Sequence, residues 1–473
     1  MPEATRIEKD SMGPMTVPAQ ALWGASTQRA VENFPVSGYR FGRRFIRALG
    51  LIKQSAAEVN RGLGILPERP AGLIVKAAQE VIDGKLDDHF VLDIFQTGSG
   101  TSSNMNANEV IANRAIQIGG GQAGSKEVHP NDHVNMAQSS NDVIPGAMHV
   151  AIAEALHADL VPAARHLHAA LAAKAAAFDR VVKIGRTHLQ DATPIRLGQE
   201  FSGYAAQLAL AEMRATKAIR ALRELPIGGT AVGTGLNSHP EFGRRMAAAL
   251  SQKTGIEFVE AGNHFEAQAA KDAVVEASGL VRTIAVSLTK IANDVRWLAS
   301  GPRCGVGEVR IPATQPGSSI MPGKVNPVMC EMVLQSCAWA IGADATVAYA
   351  GATLGTFDLH VGMPVMVHPL LEAVRILSAA MRIFADRCVA GIEADEKRCG
   401  ELVEQSLAMC TSLAPAIGYD KAAEMAKKAF AAGKTVRQVC LEEKVLPAEK
   451  LSKLLDPWGQ TMPNAENIGS GGG

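Results

Sequence analysis

Metal-type cysteine pairs, a surplus of charge of either sign and long apolar runs are all missing from this sequence, and each absence removes a class of protein. The seven cysteines, Cys304, Cys330, Cys337, Cys388, Cys399, Cys410 and Cys440, are odd in number, lie in the C-terminal half and never form a C-x-x-C pair. That argues for free thiols in a reducing compartment, against both a disulfide framework and a structural zinc site. Basic and acidic residues balance at 47 each, so there is no basic excess for nucleic acid and no acidic tail. No eighteen-residue uncharged apolar run occurs, and the polar stretch Met1 to Trp23 lacks the apolar core of a secretory signal. A cytoplasmic protein with no membrane partner is expected. Aromatic residues are scarce at 4%, there is no internal repeat, and no glycine motif sits between a strand and a helix as a Rossmann or P-loop fingerprint requires.

What is present is alanine-rich and helical. At 473 residues the chain exceeds one ordinary core, and two or three domains are expected. Met1 to about Pro35 reads as an extended arm with short strands. Residues 42 to 60 carry Phe45, Leu49, Ile52 and Ala56 along one face, and 70 to 84 repeat the spacing after a break near Gly62 and Gly64. Helix formers follow from Ala107 to Ile118. Beyond Pro145 the spacing predicts a helix over 146–178 kinked at Pro162, then helices over 197–224, 327–350 and 364–391. Between Phe265 and Leu298, residues Val274, Ala277, Val281, Ile284, Leu288, Ile291, Val295 and Leu298 recur at steps of three and four, a heptad seam. One helix of that length would run roughly 50 Å, and Val275, Leu280, Ala285 and Val286 make its other faces apolar too, so a bundle continuing across subunits is expected. Shorter helices over 423–432 and 435–443 and a turn ending at Leu455 suggest a small C-terminal domain, with a disordered tail from Ile468. The boundaries are set at 1–138, 139–395 and 396–473.

Polar stretches interrupt this pattern. Gly317-Ser318-Ser319-Ile320-Met321-Pro322-Gly323-Lys324-Val325-Asn326-Pro327 suits neither helix nor strand and reads as a mobile loop. Its hydroxyls, cation, carboxamide and glycine-flanked N–H groups fit an anionic substrate, although by composition alone a polar surface turn fits equally well. Gln96 to Asn106 places small hydroxyl residues ahead of a helix, as a capping loop or an anion site, and Ser139-Ser140-Asn141 does the same. His129 and His133 raise the thought of metal, but a Pro-Asn turn separates them, and no metal is assigned.

Taken together, Thr97 to Asn106, His129-Pro130-Asn131-Asp132 with Ser139-Ser140-Asn141, Gly185-Arg186-Thr187-His188 and the 317–327 stretch resemble the fumarase/aspartase superfamily. The likeness extends through Gly228 to Asn237 and Ala292 to Gly301. His188 and Pro322-Gly323-Lys324 resemble class II, iron-independent fumarases more than aspartases. The resemblance implies a mainly α, three-domain subunit whose long-helix bundle forms the shared core of a homotetramer, with each active site built from three subunits. It also implies a small dicarboxylate substrate, reversible hydration of fumarate to L-malate, and no cofactor.

By the same resemblance, Ser318 takes the carbon-bound proton, Lys324 and the loop N–H groups stabilise the aci-carboxylate, and His188 with Glu331 handles the hydroxyl side through a water. Ser99, Gly100, Thr101, Ser139, Ser140, Asn141, Thr187, Ser319, Lys324, Val325 and Asn326 are the implied substrate-binding residues. Lys126, His129, Pro130, Asn131 and Asp132 are an implied second anion site. Lys126, His264, Asp358 and His360 depart from the family pattern, which leaves open a methylated fumarate as substrate. An aspartase-like ammonia-lyase or a catalytically silent structural homologue would carry the same fold.

Overall fold

The N-terminal arm is a hairpin, β1 (Thr5–Asp10) and β2 (Gly13–Pro18), with Thr5 opposite Pro18 and Asp10 opposite Gly13. The computed structural model describes residues 4–465 and 468. The expected arm also contains a short helix, α1 (Ala25–Asn33). Next come α2 (Arg43–Gly62) and α3 (Glu68–Ile82), close to their expected limits, and Phe45, Leu49, Ile52 and Ala56 are all buried.

α4 (Thr101–Ile118) starts at Thr101, ahead of the expected Ala107. Its N-cap is Gly100 at φ 72°, and no side chain caps it. The hydroxyls expected to cap therefore lie inside its first turn. Pro130–Val134 forms a single π-helical turn. α5 (Ser140–Ala155) does not wait for Pro145, as the spacing suggested: the Ser139 and Asp142 side chains and backbones bond reciprocally and start the helix earlier. Pro145 then forfeits only the bond to the Asn141 carbonyl. The kink expected at Pro162 takes the form of a wider π-helical turn, Leu156–Leu160, which makes room for the proline ring at the start of α6 (Val161–Ala177).

Where polar residues break the helical pattern, β3 (Val182–Thr187) and β4 (Gln190–Arg196) make a tight antiparallel hairpin. α7 (Leu197–Ala221) follows. β5 (Glu224–Leu225) pairs in parallel with β6 (Val259–Glu260) across α8 (Phe242–Thr254).

The single helix expected from Phe265 to Leu298 is two helices. α9 (His264–Ala269) ends where Ala270 turns extended, and α10 (Asp272–Leu298) begins anew. Lys271, itself buried, fills the break by donating from Nζ to the carbonyls of Ala267, Gln268 and Ala270. Those carbonyls would otherwise be orphaned at a helix end. α10 is about 40 Å long, and every residue of the heptad seam is at most 6 % exposed.

The remaining elements are β7 (Val309–Arg310), α11 (Val328–Thr353), the hairpin β8 (Gly355–Thr356) and β9 (Leu359–His360), α12 (Met363–Arg387), and β10 (Glu393–Ala394), which pairs with β7. Last come α13 (Glu396–Gln405), α14 (Ala414–Ile417), α15 (Tyr419–Ala432), α16 (Val436–Glu442) and α17 (Ala448–Leu454). By length and composition Met363–Gly391 could cross a bilayer. It nevertheless carries Glu372 and Arg375, and it buries Val367, Leu370, Val374, Leu377, Met381 and Phe384 as core.

The chain divides into two compact units. Unit one comprises residues 1–162, 212–285 and 336–378; α2 packs there on α3, α5 and α8, and Asp344 of α11 bonds Ser278 and Arg282 of α10. Unit two comprises residues 163–211, 286–335 and 379–473, and its C-terminal helices enclose a core of Val403, Met409, Leu413, Met425 and Val439 with Ile184 of β3. Gly469 to Gly473 of the expected tail lie outside the described residues.

Candidate active site

Unit one holds the residues expected to read carboxylates. Buried Ser99 shares a hydrogen bond with Thr101 (Oγ to Oγ1, 2.8 Å), Thr101 shares one with Ser140 (2.8 Å), and Ser140 donates to Asn141 Oδ1 (3.4 Å). Two stretches far apart in sequence are thus joined in one row of hydroxyl and amide groups. A third stretch completes it, since Asn141 Nδ2 donates to the Ala231 carbonyl at 2.8 Å. The row is tightly seated. A Cβ on Gly98 would lie 1.9 Å from the Val361 carbonyl oxygen, so only glycine allows the backbone to pass there.

Beneath this row is a buried charged layer that sequence reading missed. Asp142 accepts from the N–H groups of Ser139, Gly228 and Thr230 at 2.9–3.1 Å, which fastens the 228–237 stretch to the Ser139 turn. Burial pushes its carboxyl up to about 6 despite those donors. Lys53 of α2 donates to Asn135 Oδ1 (2.8 Å) and Gln138 Oε1 (3.0 Å), and burial pulls its ammonium down to about 7. A signal for Lys53 existed: it occupies the apolar stripe of α2 with Ile46, Leu49 and Ala57, where a lysine is out of place.

Unit two holds the residues expected to move protons. His188 and Leu189 are the two central residues of the β3–β4 turn, and both have positive φ, 56° and 60°. A two-residue hairpin turn demands that geometry, but it ordinarily uses Asn-Gly. Placing histidine there costs about 1 kcal/mol or more and leaves the imidazole and Thr187 exposed. The strand below is anchored by a buried charge cluster. Arg186 Nη1 donates to Glu308 Oε2 at 2.8 Å, and Lys183 Nζ lies 3.3 Å from Glu308 and from Glu200. Glu308 is wholly buried and directly precedes β7, from which the 317–327 loop departs.

The 317–327 stretch is a loop, as expected, and it closes on itself. Asn326 Nδ2 donates to the Gly317 carbonyl at 2.6 Å, so one of its N–H groups serves the loop. A Cβ on Gly317 would meet the Lys324 carbonyl oxygen at 2.1 Å. Ser318 Oγ accepts from the backbone N–H groups of Met321 (3.0 Å) and Ile320 (3.3 Å). Ser319, Lys324 and Val325 are exposed, and Glu331 is exposed in the first turn of α11, where a carboxylate suits the helix dipole. Among the described residues no hydrogen bond or ion pair within one chain joins His188 to Ser318, Lys324 or Glu331.

Four residues of the implied second anion site, Lys126, His129, Pro130 and Asn131, line a separate cavity of about 350 Å³ in unit one together with Glu8 and Glu109, whereas Asp132 is exposed and not part of that lining. His129 Nδ1 accepts from the N–H groups of Asn131 and Asp132, and His133 Nδ1 accepts from that of His129. Of the departures, His264 binds the Pro226 carbonyl and Glu260, and His360 is buried against the Ala350 carbonyl and the Gly362 N–H. Both imidazoles are held by groups of their own unit. Asp358 is exposed and forms the β8–β9 turn with Phe357.

Comparison with known proteins gives the family. A family model described as lyase matches residues 13–342, and one described as fumarase C C-terminus matches 409–459. The class II fumarate hydratase of Halobacterium salinarum is 56% identical over 461 residues, covering 98% of both chains. That of Corynebacterium glutamicum is 54% identical, covering 95% of this chain and 93% of its own. The crystal structure of class II fumarase from Schistosoma mansoni superposes with a TM-score of 0.95 at 38% identity, covering 98% of this chain and all of the other. Hydroxyl row, closed loop and full-length likeness agree, and the chain belongs to the class II fumarate hydratase family.

Proposed function

We propose that the chain is a fumarate hydratase that adds water reversibly and in anti fashion to fumarate, giving L-malate through an aci-carboxylate intermediate. The observation that carries this reading is the environment of Ser318. A serine is a poor base unless its alkoxide is stabilised, and two backbone N–H groups already point at its Oγ. Bonds of that kind strengthen when the acceptor becomes charged, roughly twofold. Ser318 then takes the proton from the carbon beside one malate carboxylate, and the negative charge delocalises into that carboxylate. Lys324 and the loop N–H groups stabilise it, which in enzymes of this kind is the largest electrostatic task. On the neighbouring carbon His188, partnered by Glu331, gives a proton through water to the departing hydroxyl. The hydroxyl row from Ser99 to Asn141, with Thr187, Ser319, Val325 and Asn326, reads the carboxylates. The turn at His129–Asp132 with Lys126 takes a second anion.

Of the catalytic groups of unit two, His188, Lys324 and Glu331 are exposed and Ser318 is half-buried, and none is paired with another in the single chain, which favours sites completed by neighbouring protomers. Leu210 and Met213 on α7, Val286 and Trp297 on α10 and Trp339 and Tyr349 on α11 are exposed as well. That pattern favours a homotetramer joined through the long helices. Seven cysteines, none of them in a disulfide, favour a cytoplasmic enzyme.

Following the ultraviolet absorbance of the unsaturated product, fumarate or, from citramalate, its methylated form, with L-malate, L-aspartate, citramalate and argininosuccinate in turn tests the reading. Turnover of malate is expected. Turnover of aspartate in its place would make the chain an ammonia-lyase, and inactivity on all four would make it a silent homologue. Preference for citramalate would revive the methylated substrate, which the structural engagement of His264 and His360 disfavours.

A further inference from the structure

We propose that Lys53 is a positioning residue for the substrate: its buried ammonium fixes the segment beneath the Ser139–Asn141 turn and gives that turn a positive field that a bound dicarboxylate completes. This deepens the dicarboxylate reading and rests on it.

The geometry is specific. Lys53 is fully buried, and both of its hydrogen-bond acceptors are neutral amide oxygens, those of Asn135 and Gln138. It makes no ion pair among the described residues. Asp142, the carboxylate whose field it feels, is already satisfied by three backbone N–H groups. An ammonium buried against neutral amides is costly, and methionine or leucine would fill the apolar stripe of α2 with less penalty. A purely structural role therefore does not account for the charge.

The contacts lead to the carboxylate-reading row. Gln138 immediately precedes Ser139, and its Nε2 donates to the Val134 and Met136 carbonyls, which fixes its oxygen toward Lys53. Asn135 Oδ1 also accepts from Asn104 Nδ2 at 3.2 Å, in the first turn of α4 that begins with Thr101. Lys53 thus sits where both loops of the row are anchored. That row contains no cationic side chain of its own. Burial weakens the ammonium, and a bound dianion would restore its charge.

The test compares malate kinetics of the full-length enzyme with those of Lys53→Met, Lys53→Arg and Gln138→Glu. Lys53→Met removes the charge, and Gln138→Glu leaves the lysine charged but cancels its field with an adjacent carboxylate. Both are expected to raise KM about tenfold, the scale of one nearby charge in a protein interior, with kcat within about threefold. Lys53→Arg is expected to recover most of the loss. Unchanged KM in folded Lys53→Met or Gln138→Glu, or a fall confined to kcat, would overturn the inference. Should Lys53→Met fail to fold, Gln138→Glu decides. A wild-type enzyme inactive on malate would sink the hydratase reading instead, and succinate binding by calorimetry to the same variants would still judge Lys53.

Discussion

Ser318 bonds only the backbone of its own loop, so replacing it should disturb chemistry and little else. Ser318→Ala is expected to lower kcat by about 10²–10⁴ with the assembly intact by light scattering; near-normal turnover would mean that another group takes the proton. His188 occupies a strained turn with Leu189, whose side chain is 68% exposed. Leu189→Gly is therefore expected to stabilise the protein by about 1 kcal/mol in urea unfolding, and a destabilised variant would show that the leucine makes contacts outweighing its strain. His149, buried on α5 and bonded through Nδ1 to the Glu224 carbonyl at 2.8 Å, is held neutral. Burial first, and the Lys271 charge second, lower it from 6.5 to about 4. Between those values the unfolded chain binds more protons, so this stability is complete above pH 6.5 and is lost as the pH falls toward about 4, roughly 3 kcal/mol in all. His149→Gln should flatten that part of the stability profile, and an unaltered slope would place the acid sensitivity elsewhere.

Among the elements, the 317–327 loop depends on close backbone approach at Gly317. Gly317→Ala should abolish most activity while leaving the urea midpoint nearly unchanged, because the nearest atoms the alanine methyl would meet, the Lys324 carbonyl and the Asn326 backbone nitrogen, belong to the loop itself. An active variant would show that the closed ring is dispensable. The heptad seam of α10 was legible residue by residue, because a buried stripe must recur at helical spacing. The break at Ala270 was not, since Lys271 looks like any charged helix residue until its three carbonyl partners are known. The β3–β4 hairpin escaped for a related reason: His188-Leu189 lacks the Asn-Gly pattern that announces such a turn.

At the scale of the whole molecule, the proposed completion of each site by several protomers makes a distinct prediction. Mixing inactive His188→Asn with inactive Ser318→Ala, under conditions that let subunits exchange, should restore measurable turnover, because some mixed sites would receive both intact groups. If each chain carried complete sites of its own, the mixture would stay inactive.

The sequence by itself determined the helical periodicity, the polar stretches that break it and, through their joint likeness, the family, because these are local patterns that burial and backbone chemistry impose on neighbours in the chain. Only the tertiary structure decided that Thr101 meets Ser140, that Arg186 meets Glu308 and that Lys53 lies under the Ser139 turn. Those are meetings between residues 39, 122 and 85 positions apart, and the cost of bringing such groups together is met by the packing of entire helices, which no short stretch of sequence encodes.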